Sequence, residues 1–309
     1  MTRGFSLRQP LARALYTIVC FTGLLTAPIA AHAGAVDAYY ERAVMSDADR
    51  RCHLFTPELS AALGAAGAQA HGAALRSGMT NADLDRVGQR AWAAAGSVPC
   101  NSRDIAVAAD RVRTAFDGYS RLQTMSFGGD TSNWVADRAV SANFTRWQLS
   151  QAEPFGWDKL MFGIAGRGGQ MALVAVASFS DGAQPYAARL VMRDTARAPE
   201  PFLNIIRAST SGRLPLDARM PPSGATRSWF PQDRQVADAS LLPRGARSGV
   251  AFRFPPAASD AIARLDPRES IAIEYLFASP NGGGDVIRTA YVEVGDYAAG
   301  RAFLASAQK

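Results

Sequence analysis

Lysine is all but missing from this chain: of 33 basic residues only Lys159 and Lys309 are lysines, which leaves 31 arginines. Alanine is abundant in the same measure that lysine is rare. Arg and Ala have GC-rich codons and Lys has AT-rich ones, so the bias is that of a GC-rich bacterial genome and not of a nucleic-acid-binding surface. Charge of any sign is modest, at 19% of residues against 48% hydrophobic, which excludes a globally disordered chain. With 309 residues there is room for two ordinary domains.

Histidine and cysteine are scarce as well, three of each, and that excludes most of the usual site chemistry. His53 and His71, the only histidines beyond residue 33, both fall in one helical segment, so a Ser-His-Asp triad would have to span two domains. No Gly-x-Ser-x-Gly occurs, and Ser306 with Lys309 matches Ser-x-x-Lys without its companion motifs. Cys52, His53, His71 and Cys100 are zinc-type ligands, but adjacent Cys and His can hardly face one metal and no ligand pair has the x2–4 spacing. Calcium-loop spacing is absent. The glycine-rich run from Gly163 to Gly169 is not followed by Lys-Ser/Thr or by a helix pattern, and it reads as a hairpin turn between two strands. Among the few glutamates Glu274 stands inside an apolar strand, where pairing with Arg288 is the expected reading. No catalytic, metal or cofactor-binding residue is therefore assigned, and no cofactor is expected.

Long hydrophobic runs are limited to one, residues 14–27. Arg3, Arg8 and Arg13 precede it without an acid, Pro28 ends it, and Ala31-His32-Ala33 has the small-x-small form of a cleavage site. The run is shorter than the ~20 residues of a spanning helix, so residues 1–33 read as a secretory signal cut between Ala33 and Gly34. Removal takes three arginines and leaves 30 basic against 27 acidic groups. No later stretch is long enough to span a membrane, and the mature chain is expected to be soluble, in the periplasm or secreted. Two cysteines remain, and an even count in an oxidising compartment points to a Cys52–Cys100 disulfide.

The apolar period divides what is left. Over residues 34–124 it is three to four: Val36, Tyr39, Tyr40, Ala43, Val44, Ala48 and Cys52 make one stripe, Thr56-Pro57-Glu58 opens a second helix, Thr80 with Asp83 caps a third, and Asn101 or Ser102 caps a fourth. Trp92 falls in helix register and is expected in the core. Over residues 125–309 the period is two. Segments 144–149, 158–165, 170–180 and 186–193 read as a four-stranded antiparallel meander, with Tyr186, Ala188, Leu190 and Met192 facing in and Arg189 and Arg193 facing out. After an irregular stretch, 194–247, come a strand at 250–254, a short helix, strands at 271–277 and 286–294, and a closing amphipathic helix at 297–305. Trp147 is expected in the core, whereas Trp134, Trp157 and Trp229 fall at strand edges or loops where a ligand groove is conceivable. The fold class is α+β: an N-terminal disulfide-tied helical bundle, then an antiparallel β-sandwich-like domain with a short C-terminal helix.

The irregular stretch holds seven prolines and eight arginines against five acids, so it carries the whole excess charge of the mature chain. Arg207, Arg213, Arg219 and Arg227, with Trp229, are the candidate ligand surface, and bidentate arginine chemistry makes an anionic cell-envelope component the expected partner, with another envelope protein as the alternative. The function expected is that of an exported bacterial binding or envelope-interaction protein without catalysis; the alternative is a secreted or periplasmic hydrolase with a dispersed site. N-terminal sequencing of material from periplasm or culture fluid should begin at Gly34, and retention of Arg3 to Arg13 would sink the export reading.

Overall fold

The computed structural model describes residues 29–203, 214–279 and 282–305. Four helices come first, and local chemistry sets their limits. Helix α1 (Ile29–Cys52) ends at His53, whose left-handed backbone (φ 52°) lets its N–H reach Asp49 O. The Asp49 carboxylate then accepts from the backbone N–H groups of Leu54 and Phe55 at 2.8 and 2.9 Å and from the Ser60 hydroxyl, fixing the corner into α2 (Pro57–Arg76). Thr56 caps α2, and Thr80 with Asp83 forms a full capping box on α3 (Asn81–Ser97). Ser102 caps α4 (Arg103–Phe116). The Cys52–Cys100 disulfide joins the last residue of α1 to the turn before α4. Described α1 begins four residues before the expected cut at Ala33–Gly34, and the expected signal up to residue 28 lies outside the described residues.

Eleven strands follow among the described residues, in two antiparallel sheets. Strands β1 (Thr124–Phe127), β2 (Trp134–Asp137), β3 (Arg146–Phe155), β4 (Asp158–Arg167) and β5 (Gln170–Ser178) run in order, followed by β9 (Val250–Phe254) and the edge strand β8 (Asp233–Val236). The smaller sheet has the order β11 (Val286–Glu293), β10 (Ser270–Phe277), β6 (Ala187–Arg193), β7 (Thr226–Trp229). Gly168 and Gly169, both at positive φ, make the two-residue turn from β4 to β5, as the glycine run implied. Between the sheets lies a core of Phe127, Trp134, Phe162, Phe252, Phe254 and Tyr275 with aliphatic neighbours. Helix α5 (Pro256–Ile262) covers β5, and α6 (Tyr297–Ala305) lies between β1–β2 and α2.

Several expectations are corrected. Of the four strands expected in one meander, three (β3, β4 and β5) follow one another, in a run that begins at β1: the free edge of β5 is taken by β9, with Ala175 opposite Phe252, and β6 crosses to the smaller sheet. An alternating pattern states which face is buried, not which strand lies alongside. Arg193 points away from the sandwich yet is buried, with Ala198 and Pro199 against it; it forms a bidentate pair with Glu269 and donates to Ala198 O and Pro199 O. Tyr186 is exposed and donates to Asp285. Glu274 pairs with Arg189 across β6, not with Arg288, which stands opposite Tyr275. Trp92 is 69% exposed, because the buried stripe of α3 runs through Leu84, Val87, Ala91 and Ala95 and leaves it one residue aside. Trp134, expected at an edge, is fully buried, with Nε1 donating to Val294 O at 2.9 Å. Its burial contributes about 5 kcal/mol by area alone. Trp147 is only partly buried, beside a bulge in β3.

The helices dock on the sandwich through arginines. Arg76 of α2 pairs bidentately with Asp296, at 2.6 and 2.9 Å, where α6 begins. A Cβ at Gly72 would stand 2.2 Å from Asp296 Oδ1, so no side chain fits at that contact. Arg268, held by Asp266, donates to Leu75 O and Met79 O at the end of α2. Replacing both bridge cysteines by alanine should lower stability by about 4 kcal/mol, the chain-entropy value for a 48-residue loop. Alkylation of the native protein without reductant should leave Cys52 and Cys100 unlabelled; two labelled thiols would count against the bridge.

Candidate ligand-binding site

Of the surface chosen from the sequence, the described residues include Arg219, Arg227 and Trp229. Arg207 and Arg213 lie outside the described residues. Arg219 is 3% exposed and internally bound: it donates to Leu214 O at 2.8 Å, to Glu293 at 3.1 Å and to Asp130 at 3.3 Å. Glu293 also accepts from the backbone N–H groups of Asp130, Thr131 and Ser132 and from the Thr131 hydroxyl. Burial pushes its carboxyl up, but these hydrogen bonds outweigh burial and hold it below the usual range. Only Arg227 stays on the surface, its guanidinium 4.2 Å from the ring centre of the partly buried Trp229 on edge strand β7.

A different place gathers chemistry. A cleft of about 780 Å³ opens where the β3–β4 hairpin, the β5–β6 connection, a short helical turn at residues 216–219 and β11 converge. Its hairpin is a two-residue turn, Gly156-Trp157, closing the pair Phe155 and Asp158. Gly156 at φ 63° supplies the positive φ that the first position of a type II′ turn requires. Trp157, second in the turn, projects with 90% of its surface in solvent. The strand ends below it are fixed: Phe155 stacks on Tyr275, and Phe179 meets both rings edge-on.

Arg288 of β11 ties the cleft together. It donates to Asp158 at the base of the hairpin and to both carboxylate oxygens of Asp181 in the β5–β6 connection, while its guanidinium lies over Phe277 and Phe179. The hydrogen bond from Arg288, helped by the Ala183 N–H, brings Asp181 down to about 2. Asp158 also accepts from the Ser180 N–H and hydroxyl at 2.8 and 3.1 Å. Asp217 and Tyr291 complete the wall, so four acids face one arginine across the lining.

Glu153, 8% exposed, lies on the inward face of β3 with Leu149 and Gln151. Its Oε1 is buried and has no hydrogen-bond partner among the described residues. Burial raises its pKa, Glu293 nearby raises it further, and a hydrogen bond with Ser132 opposes both. No group of three or more His, Cys, Asp or Glu side chains among the described residues could hold a metal ion. His71 stacks edge-on against Tyr39 in the helical part, far from this lining. No protein-family model, curated protein or solved structure matches the chain.

Of the cleft residues the sequence singles out Trp157 as a groove candidate, one of three tryptophans at strand edges or loops, and Arg288 as a partner for Glu274. Glu153, Asp181 and Arg288 are assembled from strands far apart in sequence, and a lone Glu in an alternating strand gives no signal. Since the folded pKa of Glu153 is raised, its ionisation costs stability as pH climbs past the ordinary glutamate value. Glu153→Gln should therefore melt higher than wild type at neutral pH, with the difference vanishing below the ordinary glutamate range. A pH-independent difference would show that Glu153 is not held in this way.

Proposed function

We propose that this is an exported bacterial protein, periplasmic or secreted, that binds a ligand of the cell envelope or surroundings in the cleft beneath Trp157. Support for export comes from the three-part signal pattern, together with a disulfide and no helix among the described residues long and apolar enough to cross a membrane. The observation that carries binding is the exposed indole on a rigid turn at the lip of a polar cleft. A large aromatic fixed in water by the fold is unfavourable until something covers it. Asp158, Asp181 and Arg288 are paired with one another, an arrangement that holds the walls in shape.

The ligand class differs from the one the arginine-rich segment suggested. With Arg219 paired internally and the cleft acidic, an uncharged or cationic ligand is favoured over an anionic one. Glu153 favours a second reading: a buried carboxyl with a raised pKa in a cleft is the form a general acid takes, as a hydrolase would need. Retention of the mature protein on isolated cell-envelope material separates binding from no binding. Trp157→Ala should cut retention about tenfold or more at unchanged melting temperature. Equal retention of variant and wild type would remove the cleft from the function.

A further inference from the structure

We propose that the cleft is a saccharide site, in which an uncharged sugar ring lies on the face of Trp157 and a hydroxyl of the ligand donates to the free oxygen of Glu153. The proposal rests on the binding reading above and adds to it the chemistry of the ligand. A pyranose has a face of C–H groups and a rim of hydroxyls. It asks for an aromatic plane beside fixed, planar polar groups, and the cleft presents that combination. The indole is offered on a turn whose backbone is set by Gly156 and whose flanking strand is packed by Phe155, Phe179 and Tyr275, so little freedom is lost when a ring settles on it.

Glu153 supplies an independent observation. Its Oε1 is a buried acceptor of a cleft-lining residue, with no donor to it among the described residues, and a buried polar atom left so costs stability. A ligand hydroxyl is the donor that would satisfy it. Around it, Asp158, Asp181 and Arg288 cancel much of one another's charge, and the lining that remains, Glu153 and Asp217, is acidic. Uronic or phosphorylated sugars are thereby disfavoured, and a neutral glycan is the ligand that brings donors without bringing negative charge.

Calorimetric titration of the mature protein with cellotetraose, chitotetraose and maltotetraose tests this, with choline as the cationic probe. At least one of the three glycans should bind saturably. Trp157→Ala should weaken that binding about thirtyfold or more, and Trp157→Phe should recover most of it. Glu153→Leu should weaken it about tenfold or more; should that variant fail to fold, the two Trp157 variants decide. Absence of binding by all three glycans at millimolar concentration, binding indifferent to Trp157→Ala, or binding of choline in their place overturns the saccharide assignment. If Trp157→Ala abolishes retention on envelope material while no glycan binds, the binding reading stands and its sugar chemistry falls. If the glycans bind but retention does not depend on Trp157, the site stands and the envelope role falls.

Discussion

A guanidinium taken out of water must be given a carboxylate and enough acceptors for its other N–H groups, and this requirement organises the molecule. Four such units recur: Arg193 with Glu269, Arg219 with Glu293, Arg76 with Asp296 and Arg268 with Asp266. Three of them add main-chain contacts to the ion pair: Arg193 at Ala198 O, Arg219 at Leu214 O and Arg268 at Leu75 O. They sit where covering segments or helices meet the sheets, at places where apolar packing alone would leave carbonyls unsatisfied. Breaking one partner of such a pair strands the other charge, at about 3 to 5 kcal/mol. Lysine, a point charge with three donors, could not serve these forked sites.

The cleft shares this logic but lies nearer the surface. Arg288 reaches Asp158 and Asp181 from β11, so the smaller sheet's edge strand, the hairpin of the larger sheet and the crossover between sheets are held by one side chain. The same crossover, absent from the sequence reading, brings the ends of β3, β5 and β11 together. Had β6 continued the meander, Asp181 would have sat in an ordinary hairpin and no cleft would have formed there.

Helices were legible because their signals are local: Thr56-Pro57, Thr80 with Asp83 and Ser102 each act within one turn of the chain. So was the turn at Gly168-Gly169, which needs positive φ twice. Strand partners were not, since Ala175 opposite Phe252 depends on residues 77 positions apart. Strands β1 and β2 are four residues each, too short for alternation to register, and all four residues of β8 are exposed. Arginines were misjudged for one reason. In a covered outer face a charged side chain keeps its alternation yet loses its water, as Arg193 does, and Arg219 loses its water in a short helical turn.

The seat of α2 has a consequence for the order of events during folding. Residues 57–76 dock against α6, beside the Asp296 partner that lies 220 positions beyond Arg76 in the chain. The disulfide, by contrast, closes within the first 100 residues. The helical hairpins can be locked by their own bridge, while the Ala-rich face of α2 stays uncovered until a segment some 220 positions further on is in place. Between these two closures the uncovered face of α2 is the surface on which this chain can associate with others.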